Sequence, residues 1–179
     1  MTIDTDKQPK IPIGFTIESH KKMGKLKLNP EDIELYLDNG QKDGKYIEGN
    51  ELRRKIEDKH VLNACVLDYL FEHQDLIPES WKGKSVYFWG TIFRNADGYL
   101  YVECLCWIGG GWNWRRHWLD HGWYDNEPAA SLSSIPRNSK IKTLGSVLGA
   151  FDPSDFESRL SRMEKAVEKL EKWHNKVIS

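Results

Sequence analysis

The chain has 179 residues and a formal net charge of -1 at pH 7, which fits one domain with appendages. That balance argues against a dedicated nucleic-acid binder, whose surface would carry a basic stripe. No apolar run approaches the roughly 20 residues needed to span a bilayer, so no membrane insertion is expected.

Three cysteines, without framework spacing, fit a reducing compartment better than a disulfide scaffold. The N-terminus, MTIDTDKQPKIP, is polar and has no signal-peptide core, so cytoplasmic synthesis is expected and the final destination stays open.

Residues 1–10 are expected to form a flexible tail. Ile11 to Ile17 reads as a short edge strand, since Pro12 lacks an N–H and is tolerated only at an edge. Lys25 to Leu28 reads as another. Asn29-Pro30 then carries helix-start chemistry, with Glu31 and Asp32 in the first turn and Asn39-Gly40 as the stop. Lys45 to Glu48 is a short strand or turn. Asn50 is expected to cap a second helix from Glu51 to about Lys59. Asn63 is expected to cap a third, apolar nearly all round and therefore central, which Pro78 stops.

The stretch from Trp81 to Trp123 holds seven tryptophans, and the whole chain has 8. Aromatic residues alternate with small or polar ones between Gly-rich breaks, the pattern of an antiparallel meander. Strands are expected near 85–94, 99–108 and 112–119, with a shorter one near 123. Asn95-Ala96-Asp97-Gly98 has hairpin chemistry, and Gly109-Gly110-Gly111 can adopt positive φ freely. Alternation puts Leu100, Val102, Cys104, Cys106 and Ile108 on one face of the second strand. On the third, Trp112, Trp114 and Trp118 share a face that Arg116 interrupts, while Asn113, Arg115 and His117 point the other way. Ser131 to Gly149 reads as a Ser/Gly/Pro-bearing connection.

Cys104 and Cys106, followed by His117 and His121, form a candidate zinc set of two thiolates and two imidazoles. Their spacing departs from the usual two to four residues between cysteines, and the histidines fall in a strand region. Asp97, Glu103, Asp120, Asp125 and Glu127 with His117 and His121 could supply an acid–base pair for a small hydrolase or metal-dependent enzyme. No nucleophile elbow, phosphate loop or HExxH motif frames them. Arg115-Arg116 beside Trp114 and Trp118 is a weak base-stacking signal. Tryptophan and tyrosine among Arg, Asn, His and Asp also make a paratope-like surface, with rigid rings for area and polar groups for specificity. A general protein-interaction module would fit the same surface. Lysine, glutamine and methionine are all absent from Ser85 to Ser139.

The order strand, helix, helix and antiparallel meander resembles the C-type lectin fold. The run FWGTIFRNADGYLYVECLCWIGGGWNWRRHWLDHGWYDNEPAASL resembles the variable region of target proteins of diversity-generating retroelements. The resemblance covers roughly residues 44–134. In that family a reverse transcriptase mutates the adenines of a template repeat, so that asparagine-type codons become many residue types while scaffold codons stay fixed. Asn95, Asp97, Tyr99, Asn113, Arg115, Arg116, His117, Asp120, His121, Tyr124, Asp125 and Asn126 are all types reachable in this way, and the three missing types are not. The chain departs from the family in continuing about 45 residues past the region and in lacking a Gly-Gly-Ser-Trp type of signature.

The resemblance implies an α+β, C-type-lectin-like domain with two or three helices and a Trp-rich meander. It implies a non-enzymatic ligand-binding protein without cofactor. The twelve residues would contact an unknown protein or surface ligand, on a scaffold of Trp89, Trp107, Trp112, Trp114, Trp118 and Trp123.

The domain is expected over 11–139 and a linker over 140–150. Asp152-Pro153 opens a last helix, so 151–179 is expected to be a coiled coil. Leu160, Val167 and His174 fall at a, and Phe156, Met163, Leu170 and Val177 at d, an unbroken heptad seam. Arg159 and Glu164 have the spacing of the pair that joins neighbouring helices in short parallel trimers. A parallel homotrimer is therefore expected.

Overall fold

The computed structural model describes residues 2–132. The chain divides into two units, Met1–Ser134 and Ile135–Ser179, and the described residues fall in the first. The expected linker and heptad seam lie outside them.

Among the described residues the class is α+β, mostly sheet with two α-helices. In chain order the elements are β1 (Thr2–Asp4), β2 (Phe15–His20), β3 (Lys25–Lys27), β4 (Ile33–Tyr36), β5 (Ile47–Glu48), α1 (Gly49–Lys55) and α2 (Ala64–Glu72). Then come β6 (Ser85–Tyr87), β7 (Thr91–Asn95), β8 (Leu100–Ile108), β9 (Gly111–Trp118), β10 (Gly122–Trp123) and β11 (Ala129–Leu132). Single 3-10 turns occupy Pro30–Asp32, Asn39–Gln41, Gln74–Leu76 and Glu79–Trp81.

β8 is the spine of a seven-stranded sheet. Along one edge it pairs antiparallel with all of β9, from Tyr101 opposite Trp118 to Ile108 opposite Gly111. Its other edge is shared by β6, at Cys104–Cys106, and β7, at Leu100–Tyr101. β2 extends the sheet beyond β7, and β11 then β4 extend it beyond β6. The expected strand at 85–94 is thus split. Phe88-Trp89-Gly90 interrupts it where a Cβ on Gly90 would come within 2.9 Å of Asn63 backbone atoms.

Both faces of the sheet are covered, so Val102 to Cys106 are buried without interruption. Leu105 joins α2 residues Val66, Leu67 and Leu70 with Trp81, Phe88 and Trp112 in one core. Val102 and Cys104 join α1's Leu52 with Ile56, Tyr87, Trp89, Leu119 and Trp123 in another. A strand buried on both sides reads as a near-continuous apolar run.

Several expectations need correction. The expected helix after Asn29-Pro30 is a single 3-10 turn followed by β4. Ile33 and Leu35 alternate with polar neighbours, and the strand pairs from Ile33 opposite Leu132 to Tyr36 opposite Ala129. Helix-start chemistry serves a 3-10 turn as well as an α-helix. Residues 129–132, the last two of which fell in the expected connection, form β11.

The N-terminal segment is held in place. β1 pairs with β3, Ile3 is buried, and the Thr5 hydroxyl donates to Gly24 O at 2.8 Å. The strand expected over 11–17 starts only at Phe15, after a turn closed by Phe15 N donating to Pro12 O.

The second helix starts at Gly49, with Glu48 as its N-cap. Asn50 instead donates through Nδ2 to Asp120 Oδ1 at 2.8 Å. Gly49 is required there because a Cβ would collide with the Trp123 indole and the Leu119 backbone. The third helix has its expected cap: Asn63 Oδ1 accepts from Cys65 N at 3.2 Å. It ends at Glu72, before Pro78, where the His73 ring stacks on Tyr69.

Candidate functional site

The Gly-Gly turn between β8 and β9 sets the register of the candidate face. Gly109 and Gly110 take φ of 63° and 83°, the two-residue primed turn that matches strand twist. Asn113 reinforces it, its Nδ2 donating to Ile108 O at 3.1 Å and Gly111 O at 3.0 Å. With that register, Asn113, Arg115 and His117 lie opposite Cys106, Cys104 and Val102, on the α1 side of the sheet. Trp112, Trp114, Arg116 and Trp118 lie opposite Trp107, Leu105, Glu103 and Tyr101, on the α2 side.

None of the twelve residues implicated by the resemblance is buried. Asp97, Tyr99, Asn113, Arg115, Asp120, His121, Tyr124, Asp125 and Asn126 are exposed, while Asn95, Arg116 and His117 are half-buried. They do not share one face. His117 packs on Trp123 and meets His121 at 5.4 Å between ring centroids. Tyr99 packs on Trp118 at 4.9 Å, and Arg116 points to the α2 side.

The loop carrying Tyr124, Asp125 and Asn126 is fixed from beneath. Buried Gln41 donates to Tyr124 O at 2.9 Å and Glu127 O at 3.1 Å, and Glu127 Oε2 accepts from Tyr124 N at 2.9 Å. Of the six tryptophans expected as scaffold, Trp89, Trp112 and Trp123 are buried. Trp107 and Trp118 are half-buried, and Trp114 is 40% exposed.

Cys104, Cys106, His117 and His121 do not come together as a metal centre; among the described residues no group of three or more His, Cys, Asp or Glu is placed to hold an ion. Cys104 lies opposite Arg115 in the sheet, two residue pairs away from His117. A hydrogen bond with Cys106, together with burial, raises its thiol above the ordinary range.

The acid–base set is also dispersed. Among the described residues neither His117 nor His121 is hydrogen-bonded to a carboxylate. Asp120 is engaged by Asn50, and Glu127 by its own loop. Arg115 and Arg116 face opposite sides, so they make no joint basic platform.

Sequence reasoning missed a cavity of about 460 Å³ on the α2 side. Residues 10–13, α2, β8 and β9 border it, and it opens to solvent past Ile13. Leu67, Phe71, Ile13 and Trp114 supply apolar walls, and Asp68, Glu103 and Arg116 supply charge. Glu103 is only 4% exposed. Burial pushes its carboxyl up to about 7, against the opposing pull of Arg116. Burial also raises Asp68. One signal was present: an acid set inside each of two apolar runs, Glu103 in LYVECLCWI and Asp68 in ACVLDYLF.

No protein-family model, curated protein or solved structure matches this chain. Among the described residues no helix is long and apolar enough to cross a membrane.

Proposed function

We propose that the chain is a non-enzymatic, hypervariable ligand-binding protein. In this reading it displays diversified side chains on a C-type-lectin-like scaffold, as target proteins of diversity-generating retroelements do. One observation carries the proposal: the partition of the Trp-rich stretch. All twelve positions implicated by the resemblance lie outside the buried core, nine of them exposed and three half-buried. The positions between them include Val102, Cys104, Leu105, Trp112, Leu119 and Trp123, all buried. Substitution at an outward position leaves such a core untouched, and surface changes of that kind usually stay within about 0.5 kcal/mol.

The principal binding surface in this reading is Arg115, His117, His121 and the 124–126 loop. Tyr124, 49% exposed, supplies rigid area there. The 156–177 heptads, with Arg159 and Glu164, would join three chains in parallel. Three copies of a weak site would gain avidity on a multivalent protein or surface ligand.

The test is genomic. The locus should hold a near-repeat of the segment encoding 94–127 together with a reverse-transcriptase gene, and close relatives should differ mainly at the twelve positions. A locus with neither element, and relatives that vary elsewhere, would end this reading. Sedimentation equilibrium tests the trimer independently. A monomeric mass at micromolar concentration, or a mass unaltered per subunit count on deleting 155–179, would remove it.

A further inference from the structure

The cavity beneath Trp114 contains a carboxyl that the fold does not satisfy. Glu103 lies opposite Arg116 across β8 and β9, yet its carboxyl forms no hydrogen bond or ion pair among the described residues. Arg116 is drawn aside, its guanidinium stacked over Phe15 at 4.4 Å and Trp114 at 5.0 Å. A buried carboxyl without a partner is costly, and native structures rarely leave one without a reason.

The charge in the cavity is lopsided. Lys10 lines it, but its Nζ is held by Glu72 at 2.7 Å. That leaves the carboxylates of Glu103 and Asp68 against the single guanidinium of Arg116. One Asp68 oxygen accepts from Lys10 N at 2.9 Å, and the other is uncommitted. One added positive charge brings the group to neutrality. The remaining walls are apolar, with the rings of Phe71 and Trp114 among them. A volume of about 460 Å³ lies within the usual range for small-molecule sites.

We propose that this cavity binds a primary ammonium on an aromatic or branched aliphatic body, with Glu103 as its counter-ion. The ammonium donates to Glu103 and to the free oxygen of Asp68, and aromatic faces favour the cation. The body replaces water against Leu67, Ile13 and Phe71. The inference goes beyond diversification: Glu103 and Asp68 are not among the twelve positions, and the cavity shares only Arg116 with them.

Burial holds Glu103 half-protonated near neutrality, so ammonium binding expels a proton and tightens as pH rises from about 6 to about 8. Asp68 on α2 and Arg116 on β9 face the same space, and Asp68 reinforces this sign.

Isothermal titration of the full chain with 2-phenylethylamine, 2-phenylethanol and 3-phenylpropanoate tests the proposal. The amine should bind at least about tenfold more tightly than the alcohol, and more tightly at the higher pH. Glu103→Gln should abolish that preference, and Trp114→Ala should weaken the amine several-fold. Equal affinity for amine and alcohol, preference for the carboxylate, or undiminished amine binding by Glu103→Gln would overturn it. Should Glu103→Gln fail to fold, the wild-type pH profile and Trp114→Ala decide: no tightening with pH and no loss in the alanine variant also overturn it.

Discussion

Asn63 ties the N-terminal segment to the sheet, and Asn63→Ala measures how much that tie contributes. Its side chain is fully buried. Oδ1 caps α2 through Cys65 N, and Nδ2 donates to Lys21 O and Thr5 O, each at 2.9 Å. Losing the cap costs about 1 kcal/mol. Lys21 O loses this donor, which costs about 1 kcal/mol more. Thr5 O keeps the His20 ring nitrogen at 2.9 Å, so its loss is small. The void left by the missing amide adds about 1 kcal/mol.

The expected loss is therefore about 3 kcal/mol. For a unit of about 130 residues this lowers Tm by about 11 °C. Urea unfolding followed by tryptophan fluorescence gives the free energy directly. Asn63→Asp is the internal control. It keeps the cap but turns a carboxylate toward two carbonyl oxygens, so it should cost at least as much as alanine. A loss below about 1 kcal/mol for alanine, or an aspartate variant as stable as wild type, would refute the account.

Three further outcomes are expected. Glu103 has a folded-state pKa raised from 4.5 to about 7. Relative to Glu103→Gln, wild type should therefore lose stability as pH rises from about 4.5 to about 7, by up to about 3 kcal/mol, and no further above that. Parallel stability curves for the two proteins across that range would contradict it. Trp123 is fully buried against Tyr87 and Trp89, so Trp123→Ala should cost about 3–5 kcal/mol; Trp114→Ala, at a 40% exposed site, should cost about 1 kcal/mol or less. Equal melting temperatures for these two variants would contradict the assignment of faces. Deleting residues 1–6 removes buried Ile3 and Thr5 and should cost at least about 2 kcal/mol, whereas a disordered tail would leave the urea midpoint unchanged.

The meander was legible because its signals are local. Asn95-Ala96-Asp97-Gly98 and Gly109-Gly110 set two hairpins, and period-two alternation then assigned Asn113, Arg115 and His117 to one side of β9. Partnerships between segments distant in sequence were not legible. Ile33 to Tyr36 is a strand because Ala129 to Leu132 lies beside it, about a hundred residues later. Thr2 to Asp4 is ordered because Lys25 to Lys27 pairs with it, and Asn63 fixes the next residue by donating to Thr5 O. Gly49 begins a helix because Trp123 leaves no room for a Cβ. The cavity was hidden for the same reason, since it joins residues 10–13, α2, β8 and β9. Only the acids set within apolar runs hinted at it, and an acid in such a run is equally compatible with a solvated strand edge.

The twelve outward residues are not equivalent. Asn95 Oδ1 accepts from Tyr99 N at 2.8 Å and so holds the β7–β8 turn. Asn113 holds the β8–β9 turn, and Asp120 holds Asn50 at the start of α1. Short polar side chains at such places do the work of backbone turns, and few replacements repeat those bonds. Arg116 covers the charged cavity, so its replacement changes the α2 side as well as the surface. Arg115, His121, Asp125 and Asn126 form no side-chain hydrogen bond among the described residues, and the backbone beneath the 124–127 loop is fixed by Gln41. Freedom of sequence is therefore concentrated at the far end of β9 and in the loop beyond it. Rigid support with uncommitted side chains is what a surface needs to accept many residues and still present them in one geometry.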